Sequence, residues 1–204
     1  MTERTYAGVS LAERRQQRRG RLLAAALAVF TSTGYQQAKV SEVCAEAGVS
    51  TRSFYELFTG KEAVLLALHD LINQLAYDRV SAALAELPET GIGTRVDTLM
   101  DVFVGAVTSD PRLPRLNYVE AVGVSPELEQ QHRLWVQRWS SLIEREADRA
   151  VADGHAPARD YHLTAIALVG AITGLLREWQ ARAYPVEDVA TEIKALMIAA
   201  ITRP

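Results

Sequence analysis

The stretch Val40 to Glu62, V-S-E-V-C-A-E-A-G-V-S-T-R-S-F-Y-E-L-F-T-G-K-E, decides the fold, because it spells two short helices joined by a glycine turn. Val40, Val43 and Ala47 recur at helical spacing on one face. Gly48 stands where a helix ends in the left-handed conformation that glycine adopts cheaply, and Ser50 is placed to cap the helix that follows. Phe54 and Phe58, four apart, give that second helix its buried stripe. Its other face carries Thr51, Arg52, Ser53 and Tyr55, short or flat donors suited to a groove and a phosphate backbone. Such a pattern is the signature of a helix-turn-helix reader of DNA.

Upstream, Ser10-Leu11-Ala12-Glu13 reads as a capping box that opens a helix running to Thr33, where Gly34 ends it. Leu22, Ala26, Leu27 and Phe30 form its core stripe. Carried back by three- and four-residue steps, that stripe reaches Arg19 and Arg15, so the first turns overhang the core and are free to approach DNA. Charge follows the same division. Residues 1 to 61 hold nine Lys or Arg against five acids, a net of +4, while the rest of the chain nets −7 within an overall −3. A basic head on an acidic body is expected when only the head touches phosphate.

Downstream, Thr59-Gly60-Lys61-Glu62 reads as a second capping box before a long helix through Val64, Leu68, Leu71, Ile72, Leu75 and Val80 to Leu87, ended by Pro88. Further helices are predicted over Thr94 to Thr108, Pro111 to Val122, Ser125 to Asp153, Asp160 to Ala183 and Val186 to Thr202. Pro111, Pro126 and Pro185 stand at starts or junctions, where proline is tolerated, and no period-two run argues for strands. The expected fold is all-α, with about nine helices: a three-helix head over residues 1–60 and a helical bundle over 61–204. Leu163 to Leu176 is apolar nearly all round and must be buried on more than one side. Leu163, Ala167, Gly170, Gly174 and Trp179 there, with Val189, Ile193, Leu196 and Met197 on the last helix, are the candidate residues of a four-helix dimer interface. The alternative is that both helices fill the core of a monomer.

With 204 residues, 49% apolar and 23% charged, the chain has the composition of an ordinary soluble globular protein. No apolar run approaches the roughly 20 residues that span a bilayer, and Met1 to Arg21 lacks the apolar region of a secretory signal, so a cytoplasmic protein is expected. One cysteine, Cys44, excludes an intramolecular disulfide and a cysteine-based zinc site, and reads as a small core residue. His69, His132, His155 and His162 show no metal-ligand spacing, and there is neither a nucleophile elbow nor a P-loop. No catalysis, metal or cofactor is expected.

The head resembles the TetR family of bacterial transcriptional repressors. The resemblance rests on Leu22, Ala25, Ala26 and Phe30, then Gly34-Tyr35, Val43 with Ala47-Gly48-Val49-Ser50, Phe54-Tyr55, Phe58, Lys61-Glu62 and Leu65, covering about the first 65 residues. Beyond them, G-A-I-T-G-L-L-R-E-W, residues 170–179, looks like the family's first dimerisation helix. Family members usually place Thr or Ser just before the second helix to cap it and meet a phosphate, where Ala38 and Lys39 stand here. Ser41 or the Lys39 charge is the substitute. Members also often carry His or Tyr where this chain has Leu57. The resemblance implies a homodimer on a palindromic double-stranded operator and a body that binds a small molecule.

Individual contacts follow from chemistry. Arg52, near the start of the recognition helix, is the candidate for guanine O6 and N7. Thr51 and Ser53 suit thymine methyls or phosphates, and the Tyr55 hydroxyl suits the backbone, unless Tyr55 is a half-buried core ring. Arg14, Arg15, Arg18 and Arg19 add sequence-independent attraction. Lys61 lies in a first helical turn, where the macrodipole disfavours a cation, so an anion such as a DNA phosphate is expected to complete its surroundings; a solvated lysine is the alternative. In the body, Trp135, Trp139 and His132 on one helix and Leu99, Met100, Phe103, Val104 and Val107 on another suit either an adaptable apolar pocket or a plain core. Asn117, Tyr118, Glu120 and His132 are its candidate polar anchors, and Ile166 and Thr173 complete the candidate lining. The competing function is a helical module that binds protein without specific DNA binding.

Overall fold

The computed structural model describes residues 10–88, 90–182 and 184–203. Every regular element among them is helical: α1 Leu11–Thr33, α2 Val40–Ala47, α3 Thr51–Tyr55, α4 Lys61–Glu86, α5 Ile92–Thr108, α6 Arg112–Arg115, α7 Pro126–Ala152, α8 His162–Ala181 and α9 Val186–Thr202. The chain divides into two compact units, Met1–Asp70 and Leu71–Pro204.

In the first unit, the Ser10 hydroxyl accepts from the Glu13 amide at 3.1 Å and the Ser10 amide donates back to the Glu13 carboxylate at 2.6 Å, so the expected capping box starts α1. Leu22, Ala26 and Phe30 are fully buried, whereas Leu11 is 65% exposed, and the first turns do overhang the core. Phe54 and Phe58 close that core with ring centroids 5.9 Å apart, and Phe30 meets Tyr35 edge-on at 5.2 Å. Burying each such ring stabilises the unit by ~1.5–3 kcal/mol. Cys44 is buried among them as a small core residue. Gly48 ends α2 at φ 60° and ψ 39°, where a side chain would cost ~1–2 kcal/mol. α4 begins one residue later than its expected cap: the Gly60 carbonyl, not Thr59's, accepts from the Val64 amide.

The second unit is built on one apolar core drawn from α4, α5, α7, α8 and α9, including Val80, Leu84, Val96, Met100, Leu142, Ala147, Leu168, Ile193 and Ile201. Polar staples cross it. Buried Arg95 on α5 forms an ion pair with Glu146 on α7 and donates to the Leu84 carbonyl at 3.2 Å. That pairing holds the Arg95 guanidinium above its ordinary range. Lys194 on α9 bridges Asp97 and Asp101 on α5 at 3.3 and 2.7 Å.

One expected helix is corrected. Pro111 to Val122 is not a continuous α-helix: α6 is a single turn, and the chain continues as a π-helical turn, Leu116–Glu120, with the Ala121 amide donating to the Leu116 carbonyl five residues back at 3.0 Å. The expected end of the preceding-to-last helix at Ala183 lies outside the described residues. No helix among the described residues is long and apolar enough to cross a membrane.

Candidate functional site

Ser50 organises the recognition helix. Its hydroxyl accepts from the Ser53 amide at 3.2 Å and donates to the Ser53 hydroxyl at 3.1 Å, which orients both serines at the start of α3. Thr51, Arg52 and Tyr55 are exposed around them. The Arg52 side chain is 92% exposed, and its pairing with Glu56 at 3.7 Å is a surface pair worth well under ~1 kcal/mol. Tyr55 is 57% exposed with its ring braced edge-on against Phe54 at 5.3 Å. The buried side of α3 therefore fixes the helix and leaves the Arg52 guanidinium in solvent.

Lys61 is the main correction on this surface. Its ammonium donates to the carbonyls of Tyr35, Gln36 and Ala38 at 3.0, 3.0 and 3.2 Å and lies 4.7 Å over the Tyr35 ring. Three carbonyl dipoles and a ring face complete the cation's surroundings, so the argument that a phosphate must do so gives way. Lys61 fastens the α1–α2 turn.

At the start of α2, Lys39 occupies the cap position without a side-chain acceptor, and Glu42 supplies half of the usual reciprocal bonding by accepting from the Lys39 amide at 2.9 Å. Ala38 is buried, Ser41 and Lys39 are exposed, and Leu57 is half-buried. Of the α1 arginines, Arg15 is exposed and Arg14, Arg18 and Arg19 are half-buried, with the Arg19 guanidinium 5.5 Å over the Phe58 ring.

In the body, a partly open cavity of about 40 Å³ is lined by residues of α4, α5, the π-helical turn, α7 and α8. Eight of the residues expected to form a pocket line it: Leu99, Phe103, Asn117, Tyr118, His132, Trp135, Trp139 and Thr173. Met100, Val104 and Val107 are instead core residues, turned away on α5. Glu120 pairs with Arg115 at 3.2 Å, and Ile166 lies on the exposed side of α8. Sequence reasoning missed Asn73, Val136, Val169 and Ile172 in the lining. An Asn set among Leu71, Ile72 and Leu75 on an apolar helix is the signal that could have found Asn73.

The π-helical turn explains the polar end of this cavity. Its wider turn brings three consecutive residues, Leu116, Asn117 and Tyr118, under cover. Asn73 donates to the Asn117 carbonyl oxygen at 2.9 Å, with both side chains buried. Burial pushes the Tyr118 phenol up to about 12, opposed by a hydrogen bond from Asn117. The opposite wall is aromatic: Trp139 packs edge-on against both Phe103 and Tyr77 at 5.2 Å. Arg138 lies on the Tyr77 and Trp135 rings at 4.5 and 4.8 Å and donates to Gln74 at 2.7 Å.

The candidate interface residues separate into two groups. Leu163 is 78% exposed, Leu196 is 40% exposed, and Ala167, Gly170 and Gly174 are exposed along α8. Trp179 is half-buried, its indole N–H donating to the Tyr184 carbonyl at 3.1 Å. Val189, Ile193 and Met197 are buried in the chain's own core, which removes them from any interface with a second copy.

Residues 22–68 match the family described as bacterial regulatory proteins, tetR family. The HTH-type transcriptional regulator EthR of Mycolicibacterium smegmatis is 28% identical over 150 residues, spanning 70% of this chain and 67% of that protein. The fold is shared with the fatty acid degradation regulator FadR from Bacillus halodurans, at 20% identity and a TM-score of 0.79 over 90% of this chain and 94% of that one. It is shared equally with the FadR of Bacillus subtilis, solved in complex with stearoyl-CoA, at 18% identity and a TM-score of 0.78 over 89% of this chain and 98% of that one. The family's domain thus lies across the helix-turn-helix head, residues 22–68, and the fold of the chain is that of these solved regulators.

Proposed function

We propose that this regulator is a cytoplasmic repressor that binds a palindromic operator as a homodimer and is released by a small, largely apolar effector held in the body cavity. The observation that carries the reading is the cavity itself: an aromatic and aliphatic lining with one buried polar end, in a chain whose head exposes Arg52, Thr51 and Tyr55. Residues 1–60 serve as the DNA-binding domain and 61–204 as the effector-binding and dimerisation domain. Arg52 reads a base; Lys39, Ser41, Ser50, Thr51, Ser53 and Tyr55 meet the backbone or base edges; Arg14, Arg15, Arg18 and Arg19 add phosphate attraction. The exposed α8 stripe of Leu163, Ala167, Gly170 and Gly174, with Leu196 on α9, pairs with a second copy.

Release is a population shift. α4 supplies Lys61 to the turn before α2 and Asn73 to the cavity wall, so it is the lever between effector and head. Effector favours a head spacing other than the ~34–36 Å of one DNA turn and releases DNA only by as much as it prefers that second state. In vitro selection from a random duplex pool tests the reading and is expected to return an inverted repeat. Absence of any salt-dependent DNA binding by the purified protein would instead favour a protein-interaction module.

A further inference from the structure

Tyr77 of α4 is not a lining residue of the cavity, yet it touches the two bulkiest residues that are. Its half-buried ring meets Trp139 edge-on at 5.2 Å and Trp135 at 6.2 Å, separations at which aromatic pairs attract. Trp139 in turn meets Phe103 of α5 edge-on at 5.2 Å. Two exposed arginines of α7 hold the same tyrosine. The Arg138 guanidinium lies 4.5 Å from the centre of the Tyr77 ring and 4.8 Å from that of Trp135, and it donates to the Gln74 side chain at 2.7 Å. Arg145 donates to the Tyr77 hydroxyl at 3.2 Å. One seam of rings and guanidinium groups thus joins α4 to α7 behind the aromatic wall.

At about 40 Å³ the cavity is far below the ~300–1,000 Å³ of ordinary ligand pockets, so an occupant gains room only by displacing side chains of the lining. Interiors are close-packed, and a displaced ring moves what it touches. Behind Trp139 and Trp135 that neighbour is Tyr77. We propose that Tyr77 is the positioning residue through which occupancy of the cavity reaches α4, with Arg138 and Arg145 fixing its ring to α7. The helix then runs unbroken to Lys61, whose ammonium is fastened to the turn before α2. Asn73, the α4 residue in the lining itself, bonds to Asn117 of the π-helical turn and not to the tryptophan wall.

This inference rests on the proposal that the cavity is the effector site, and a double-mutant cycle that needs no effector separates the two. Thr173 belongs to the lining, so Thr173→Phe fills the cavity with a built-in occupant. Affinity of the purified full chain is measured on the duplex returned by in vitro selection. Filling the cavity is expected to weaken DNA binding at least about tenfold in the native background and less than about twofold beside Tyr77→Leu. Tyr77→Phe keeps the ring and loses only the bond from Arg145, so beside it the full effect of filling should return. A merely destabilising Tyr77→Leu would lower affinity without changing the effect of filling. Equal weakening by Thr173→Phe in the native and Tyr77→Leu backgrounds overturns the role of Tyr77 and leaves the effector cavity standing. If filling the cavity leaves DNA affinity unchanged in the native background, both the inference and the effector reading fail. Should Thr173→Phe not fold, Val169→Ile, larger by one methylene in the same lining, carries the comparison with an expected effect of about threefold.

Discussion

The Lys61 ammonium lies 4.7 Å above the ring of Tyr35 while donating to the Tyr35 carbonyl at 3.0 Å, so a single residue of the α1–α2 turn is gripped by side chain and backbone together. Bonds to Gln36 and Ala38 complete the grip. Lys61→Met removes three charge-assisted bonds to carbonyls and is expected to cost on the order of 2 kcal/mol, reduced from their sum because the site is partly solvated. Hydrogen exchange at the Ala38 amide, bonded to the Gly34 carbonyl, reports the loosened turn. DNA affinity should fall for all sequences alike while the slope of log K against log salt stays unchanged. A slope smaller by about one unit would restore Lys61 as a phosphate contact.

Arg52 makes the opposite case. Its side chain is almost wholly in solvent and its pairing with Glu56 contributes little, so Arg52→Ala is expected to leave stability within about 0.5 kcal/mol. Its cost falls on discrimination, ~1–3 kcal/mol at one base pair in each half-site. Competition binding with operators substituted one base pair at a time checks this. Uniform weakening across all substituted operators would assign Arg52 to phosphate instead.

These two residues show where sequence was and was not sufficient. The cap at Ser10, the left-handed Gly48 and the serine pair at α3 are local, decided by residues within three or four positions, and each was legible. So were the bounds of α9 at Val186 and Thr202. The Lys61 carbonyl cluster was not, because its acceptors lie 23 to 26 residues away and a macrodipole argument sees only the lysine's own helix. The π-helical turn was hidden because Leu116 to Glu120 continues an α-like pattern without a break. On α9, periodicity showed that Val189, Ile193 and Met197 are buried, but not whether by the same chain or another. The cavity was legible in its aromatic wall and missed at Asn73, whose role depends on Asn117, 44 positions later.

Tyr118 gives a pH dependence with a defined sign. Its folded pKa of about 12 stands above the ordinary phenol value of 10.0, because burial disfavours the phenolate. The folded chain therefore holds a proton that the unfolded chain has lost between those values. The stabilisation is fully present below pH 10 and declines as pH rises toward 12, by ~1.4 kcal/mol per unit at most. Denaturant unfolding of the native chain and of Tyr118→Phe should show curves that separate with pH across this window, the native chain losing more. Parallel curves would mean that Tyr118 ionises as freely when folded as when unfolded.

Leu163 and Ile193 provide the test of the dimer, because they sit in neighbouring helices with 78% and 1% of their surfaces exposed. An arginine at Ile193 would be buried in an apolar core without a counter-charge, so Ile193→Arg is expected to unfold the body, by several kcal/mol. An arginine at Leu163 meets only solvent in the single chain, and Leu163→Arg should keep native helicity and thermal cooperativity at low concentration. Its effect appears only where a second α8 packs against the first: the charge then faces its own symmetry mate, and sedimentation velocity should show a monomer where the native chain is a dimer. Gly170 sharpens the comparison. A Cβ built there meets nothing within 4 Å in its own chain, so Gly170→Leu is harmless to the subunit and obstructive only to close approach of another helix. If both variants remain dimeric, the α8 stripe is not the interface. If both become monomeric while still folded, operator affinity should fall with the lost second half-site, and selected DNA should no longer be an inverted repeat.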